Sequence, residues 1–426
     1  MDYPAYPVYR ASGIEWLGKI PDHWQVRRLK FAAEIQNGRD YKEVESSEGY
    51  PVFGSGGVFR FATEYLYAGE SVLFGRKGTI DKPLYVNEKF WTVDTMFYSV
   101  ILNGTHGRFL YFFATTMQFN VLATQTALPS ITQTDLGNYL IPYPTYQEQQ
   151  TIAQFLDHKT QQIDQLLAKK QTLIDKLNEQ RIALITHAVT KGLIPAVTLK
   201  DSGVEWLGKV PEHWDSVRLR YITEKITSGS RGWAQYFSDE GEQFLRITNL
   251  SRKSISLLED DMRRVNPPEG TEGERTKTRT GDVLVSITAD LGSIAVIPEN
   301  YEASYVSQHI ALVRPEPKKF NSRWIAYCLF SHAGKAQLLG AGYGGTKIQL
   351  GLSDIKEVYT SIPPLQEQTQ IVEYIDAETA RIDRMVALNQ QTMDKLKEYR
   401  TALITAAVTG KIDVRNWQQE SNHANP

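Results

Sequence analysis

The chain has 426 residues, of which 41% are hydrophobic and 23% charged, and a formal net charge of −2. This is the composition of a folded globular protein with room for two or three cores, and it excludes both a disordered chain and one that coats nucleic acid through bulk positive charge. No apolar run approaches the roughly 20 residues that span a bilayer, and the opening MDYPAYPVYR lacks the basic-then-apolar order of a secretion signal. The cytoplasm is therefore the expected compartment. The one cysteine, Cys328 in WIAYCLF, leaves no internal disulfide framework and reads as a small buried side chain rather than a nucleophile.

In chain order, the first segment (residues 1–24) ends in the box SGIEWLGKIPDHW at 12–24, where Trp16, Leu17, Ile20 and Trp24 are apolar anchors around a Gly-Lys-Ile-Pro turn. Residues 25–145 follow as a strand-rich stretch. YPVFGSGGVFRF, SVLFGRKGTI and FYSVIL are short, rich in β-branched and aromatic residues and punctuated by glycine, while RFLYFFATT reads as a short helix. Residues 146–192 carry apolar residues at helical spacing, from Ile152, Phe155 and Leu156 through Ile163 and Ile174 to Leu184 and Ile185. Pro144 precedes this run and Gly192 follows it, so one helix of about 40 residues, on the order of 60 Å long, is expected.

The chain then begins again. Residues 193–214 end in SGVEWLGKVPEHW, identical to the first box at ten of thirteen positions, at an offset of 190. Residues 215–364 form a second strand-rich stretch with FLRIT, DVLVSIT and a short helix from SRWIAYCLFS, and residues 365–412 form a second long helix. RIALITHAVT at 181–190 returns as RTALITAAVT at 400–409, and Gln147-Glu148-Gln149 returns as Gln366-Glu367-Gln368, both at an offset of 219. Of eleven apolar positions along the first helix only one is lost in the second, at Thr392. Residues 413–426 are a tail. Between the boxes and the helices, Thr134-Asp135-Leu136 against Ser353-Asp354-Ile355 is the one alignment discerned. A kept framework with diverged inserts suggests two reading heads on one frame. An apolar stripe of that length needs a partner along the helix, and an approximate two-fold axis would pair the two helices antiparallel with the variable domains at opposite ends.

Several near-motifs fail on their chemistry. Asn266-Pro267-Pro268-Glu269 starts like the Asn-Pro-Pro-aromatic tetrapeptide of amino-methyltransferases, but Glu269 cannot stack on a base. Residues 340–347 have phosphate-loop glycine spacing, yet Thr346 precedes Lys347 where a lysine must come first. Glu316-Pro317-Lys318, with Asp290 upstream, has nuclease spacing broken by prolines. His23 and His213 have no accompanying nucleophile or second base in the repeat, and no Cys/His cluster has metal-ligand spacing. The chain is expected to do no chemistry itself. The box is expected either to fix each variable domain to the frame or to form a partner-docking surface, for which Trp16, Trp24, Trp206 and Trp214 are the candidates.

Together, the doubled SGxEWLGxxPxHW box, the PxPxxxEQ-like start of each helix and the LITxAVTxG-like exit resemble the specificity subunit of type I restriction-modification systems over nearly the whole chain. The fold class expected is α/β (α+β): two mixed, strand-rich target-recognition domains separated by two long antiparallel coiled-coil helices, with an internal pseudo-two-fold repeat. The resemblance implies a non-catalytic reader of double-stranded DNA, each domain reading one half of a bipartite asymmetric target. It also implies two modification (methyltransferase) subunits on the helical frame and restriction (translocase/nuclease) subunits joining them. No cofactor is expected on this chain; S-adenosylmethionine, ATP and magnesium belong to the partner subunits. A rigid frame would set the half-sites roughly one helical turn apart.

Phosphate contacts set register and base-edge contacts set sequence. The candidates beside expected turns are Ser55, Arg60, Arg76, Lys77, Thr132 and Gln133 in the first domain. In the second they are Ser230, Arg231, Trp233, Thr248, Asn249, Arg252, Lys253, Thr288, Thr346, Lys347 and Gln349. The turn Gly75-Arg76-Lys77-Gly78 is expected to lie against DNA. Two rival readings are a methylation enzyme with a built-in reading domain, which would need the missing S-adenosylmethionine site, and a scaffold or interaction protein without DNA specificity of its own.

Overall fold

Two helices dominate the computed structural model, Tyr146–Lys191 with 46 residues and Leu365–Val408 with 44, slightly longer than the periodicity suggested. The structure describes residues 3–124, 129–267, 270–340 and 349–418. These fall into two compact units, one of Met1–Lys170 with Gln390–Pro426 and the other of Gln171–Asn389. Each unit therefore holds one variable stretch, one half of each long helix and one box. The cut differs from a division by sequence, in which the helices stand apart from the domains.

In the first unit, Ile152, Ala153, Phe155 and Leu156 from the start of one long helix share a core with Leu403, Ile404, Ala407 and Val408 from the end of the other. Start beside end means that the helices run antiparallel, as the approximate two-fold repeat led one to expect. Arg400 Nε and Asp164 Oδ1, 3.2 Å apart, tie the two helices. The second unit repeats the arrangement with Ile185, Ala188 and Val189 against Ile371, Val372 and Ile375. Its ion pair is Arg181 with Asp383, the same two positions displaced by 219. Burying each large aliphatic side chain contributes about 1.5–3 kcal/mol, so these seams are a main source of stability.

The box makes a hairpin in both units, Tyr9–Ala11 against Lys19–Pro21 and Leu199–Asp201 against Lys209–Pro211. Its tryptophan is then driven wholly inside: Trp24 and Trp214 are both 0% exposed. A buried indole N–H needs an acceptor. Trp24 Nε1 donates to Glu148 Oε1 at 3.0 Å, while His23 Nε2 lies 3.0 Å from Glu148 Oε2. Trp214 Nε1 donates to Glu367 Oε1 at 3.1 Å, and His213 Nε2 lies 2.9 Å from Glu367 Oε2. The middle residue of each Gln-Glu-Gln thus holds the box. The last residue holds the variable stretch: Gln149 Oε1 accepts from His106 N at 2.9 Å and Gln368 Oε1 accepts from Asn321 N at 2.9 Å. Each histidine or asparagine caps a short helix, Gly107–Ala114 or Ser322–Phe330, the two expected from sequence.

The other long helix closes the junction. Gly410 has φ +70°, and a Cβ there would lie 2.4 Å from Pro21 Cδ; Gly192 has φ +74° and would meet Trp214 at 3.2 Å. Only glycine satisfies both the left-handed turn and the contact. The adjacent lysines cap the box turn: Lys411 Nζ donates to Leu17 O at 3.0 Å and to Lys19 O, and Lys191 Nζ donates to Lys209 O. Burial lowers the pKa of both ammonium groups.

The repeat also runs deeper than the sequence showed. Gln25–Arg28 pairs with Leu140–Tyr143, and Asp215–Arg218 pairs with Tyr359–Ile362, in the same register once the offsets of the boxes and helices are applied. Arg108 Nη2 meets Asp157 Oδ1 at 2.6 Å, and Arg323 Nη2 meets Asp376 Oδ1 at 2.6 Å, fixing the short helices to the long ones. Beyond this the heads diverge. The first builds a seven-stranded sheet, the second two four-stranded sheets. Cys328 is buried on the Ser322–Phe330 helix, as expected for a small core side chain, and desolvation pushes its thiol up.

Glu148 also accepts the Tyr6 hydroxyl at 2.7 Å and is 5% exposed, against 23% for Glu367. Replacing either glutamate with alanine orphans a buried indole N–H and should cost about 1–3 kcal/mol. Glu148→Ala should cost more than Glu367→Ala, because a second buried donor is orphaned with it. Urea unfolding of both variants followed by tryptophan fluorescence checks this, and equal or negligible shifts would refute the clamp.

Candidate nucleic-acid interface

Both heads end their sheets in the same set of turns. The second strand after the box, Ala33–Asn37 or Thr223–Ser228, pairs antiparallel with Met96–Ile101 or Ile310–Pro315. It stops at a glycine: Gly38 N donates to Met96 O at 3.0 Å and Gly229 N to Ile310 O at 3.1 Å. Neither position has room for a side chain, since a Cβ would sit 2.0 Å from Val93 O or 2.1 Å from Ser307 O. The next amide again makes one bond in both heads, Arg39 N to Thr92 O at 2.9 Å and Ser230 N to Val306 O at 3.0 Å.

Three further turns meet at this edge. Met96 N donates to Val93 O and Ile310 N to Ser307 O, each at 3.0 Å, so Asp94-Thr95 and Gln308-His309 are the tips of equivalent tight turns. Arg76 N donates to Thr95 O at 2.8 Å and Ile287 N to His309 O at 3.0 Å. Ile131 N donates to Arg76 O at 3.0 Å and Leu350 N to Ile287 O at 2.9 Å, while Lys77 bridges Ser130 and Thr288 bridges Gln349. In these bonds the two edges share one backbone design. The side chains on it are not: Arg39, Lys77, Asp94, Thr95 and Ser130 in the first head stand where Ser230, Thr288, Gln308, His309 and Gln349 stand in the second.

The sequence candidates divide on this geometry. Lys77 is exposed at the edge, and Arg76 is half-buried there, with its Nη1 donating to Asp94 O at 3.3 Å. Thr132 and Gln133 flank the edge, but their side chains are engaged within the head. Thr132 caps the helix Gln133–Asn138 and bonds Asp135, and Gln133 Nε2 donates to Ile35 O at 2.6 Å. Ser55 lies half-buried in the turn of the hairpin Tyr50–Gly54 with Gly57–Ala62, and Arg60 on its second strand is paired with Glu45 at 3.0 Å. In the second head Arg231 is exposed one residue past Ser230, Gln349 is exposed at the edge, and Thr248 is exposed at the mouth of a cavity of about 410 Å³. Arg252 reaches Asp290 at 2.6 Å, next to the edge turn. Lys253 is exposed, although its carbonyl is taken by Arg181 Nη1 at 3.0 Å, which places it at the long helices instead. Thr346 and Lys347, and the glycine-rich run around them, lie outside the described residues, as do Pro268 and Glu269.

Four surface expectations in the second head are corrected by burial. Ser230 is 2% exposed and its hydroxyl lies 2.9 Å from Thr276 Oγ1. Trp233 is buried with its ring stacked on Phe244. Asn249 is 0% exposed, its amide donating to Leu258 O and Asp260 O, and Thr288 is 7% exposed with its hydroxyl 2.8 Å from His309 Nδ1. Polar residues near turns read as surface residues, but these build the turns. The tryptophan docking surface is corrected in the same way: Trp24 and Trp214 face inward, and Trp16 is half-buried and stacked on Tyr139. Only Trp206 of the four is exposed, at 48%.

Sequence reading missed Arg39, Asp94, Thr95, Gln308 and His309. The available signals were the glycine-arginine pairing in Asn37-Gly38-Arg39, which repeats that of Gly75-Arg76, and the polar pair set between apolar runs in TVDTMF and YVSQHI. Among the described residues the guanidinium or ammonium groups of Arg39, Lys77 and Arg231 make no hydrogen bond or ion pair. Free cations beside polar turn tips are what a phosphate backbone and base edges require.

The model of the type I restriction modification DNA specificity domain matches the chain twice, over residues 21–176 and 263–398. The chain belongs to that family. It is 21% identical to the EcoBI specificity subunit of Escherichia coli over 432 residues, covering 96% of this chain and 90% of that one. To the MjaVIII specificity subunit of Methanocaldococcus jannaschii it is 21% identical over 429 residues, covering 93% and 95%. A chain solved in work on complex assembly and conformational transition of the type I R-M system shares the fold with a TM-score of 0.70 at 18% identity, over 92% of this chain and 99% of that one. The HsdS subunit of Thermoanaerobacter tengcongensis gives 0.52 at 18% identity, over 92% and 98%. The family model thus matches both halves of the doubled chain.

One strained residue marks the second edge. Ala289 has φ +61° where the first head has Gly78 at φ +79°. An alanine there costs roughly 1–2 kcal/mol, so Ala289→Gly should raise the unfolding free energy by about 1 kcal/mol; an unchanged or lower urea midpoint would show that the strain is absent. At the first edge, replacing Arg76 and Lys77 together with alanine should weaken duplex binding and lower the salt slope by about one for each phosphate no longer neutralised. Unchanged affinity and slope would remove that turn from the interface.

Proposed function

We propose that this specificity-domain protein is the DNA-reading subunit of a type I restriction-modification complex and performs no bond chemistry of its own. Each head reads one half of a bipartite, asymmetric target through its four-turn edge. The observation that carries this reading is the edge itself, built twice on one backbone from unlike side chains. A scaffold would have no use for two versions of a polar edge flanked by free cations. The long helices set the unspecified gap between half-sites and dock two modification subunits, which carry S-adenosylmethionine and methylate adenine. Restriction subunits, with ATP and magnesium, join that core in the cytoplasm, where the DNA lies. The EcoBI and MjaVIII relatives, named as specificity subunits over nearly their whole lengths, support the assignment.

The test is to express the chain with its modification subunit and sequence the methylated adenines. A single motif of two short, different half-sites separated by a fixed gap is expected, and exchanging one variable stretch should change one half only. Methylation at one continuous site, or none, would return the protein to the scaffold reading.

A further inference from the structure

We infer that the two-residue turn tips Asp94-Thr95 and Gln308-His309 are specificity-determining residues that read bases in the first and second half-sites respectively. This rests on the DNA-reading function above and deepens it. Where the two edges share backbone bonds, unlike side chains at matching positions are the place to look for a difference in what each edge reads. The tips are held by the same bonds in both heads: the turn-closing amide at 3.0 Å, and the Arg76 or Ile287 amide on the second tip residue. Their chemistry is unlike. Asp94 is exposed and its carboxylate only accepts, whereas Gln308 can donate and accept at once.

Each tip is also preorganised. Arg76 Nη1 holds the Asp94 carbonyl at 3.3 Å, leaving the carboxylate outward. In the second head, Thr288 Oγ1 lies 2.8 Å from His309 Nδ1, and Gln308 Nε2 lies 3.1 Å from His309 Nε2. This fixes the imidazole and its neighbouring amide as one polar unit at the rim of the cavity lined by Trp233, Phe244 and Thr248. Free cations lie on the adjoining turns, Arg39 and Lys77 in one head and Arg231 in the other. A head anchored on phosphates by those cations would bring the turn tip to a groove. A carboxylate accepts from the amino group of cytosine, and a glutamine amide pairs in bidentate fashion with adenine.

The experiment uses the full chain with its modification subunit, carrying Asp94→Asn, Gln308→Ala, or the exchange of Asp94-Thr95 for Gln-His. Methylated-adenine sequencing is paired with binding to duplexes that carry each single-base change of the wild-type motif. The expected result is a change at one or two positions of one half-site: the first for substitutions at 94 and 95, the second for those at 308. Discrimination at those positions should fall about 10-fold or more. An unchanged motif with unchanged affinity overturns the inference, and so does a loss of affinity that is equal for every base change, which marks a phosphate or structural role. Thermal midpoints matching wild type separate both outcomes from misfolding. If the wild-type complex itself shows no bipartite motif, the failure lies in the DNA-reading function and not in the turn tips.

Discussion

A buried indole N–H cannot be left without an acceptor, and in this protein that constraint organises both units. Trp24 and Trp214 are 0% exposed, and each donates to a glutamate in the first turn of a long helix. The same carboxylate takes the neighbouring histidine, while the next glutamine in sequence takes the cap of the short helix. Two segments distant in the chain, the box and the short helix, are thereby fixed to one helical turn. The glycine that ends the other long helix closes over the tryptophan, so a box, one helix start and one helix end form a single junction. Each of these glutamates also sits in the first turn of its helix, at the positive end of the helix dipole.

From that junction outward the structure changes from fixed to variable. The strand after the box, the strand before the long helix and the short helix with its arginine are still repeated pair for pair. The sheets beyond them differ in strand number and order. At the far edge the backbone bonds converge once more while the side chains part. A rigid base with an adaptable rim lets one architecture carry two specificities, because precision in positioning and freedom in chemistry reside in different atoms.

The frame was legible in the sequence because a repeated box and a helical apolar period are local patterns. Identity at ten of thirteen positions in the box, and the return of Gln-Glu-Gln at the helical offset, need no structure to be seen. The edge was legible only in part. Lys77 and Arg231 were found because cations beside glycines mark turns, but Asp94, Gln308 and His309 were not. A polar pair between two apolar runs looks like any hairpin tip until its backbone partners are known. The same blindness put Ser230 and Asn249 on the surface, although their polar groups are turned inward to build the turns.

What the sequence by itself determined, then, is a duplicated frame of two boxes and two long helices, the globular composition, and membership of a family recognised by those repeats. Apolar periodicity and near-identical segments fix these because each is a property of neighbours along the chain. The tertiary structure decided what the boxes are for, where the four turns of each head meet, and which polar residues face outward. Those depend on hydrogen bonds between residues far apart along the chain, such as Trp24 with Glu148 and Arg76 with Ile131. No spacing rule along the chain encodes which distant carbonyl or carboxylate satisfies a buried donor; only the packed fold selects it.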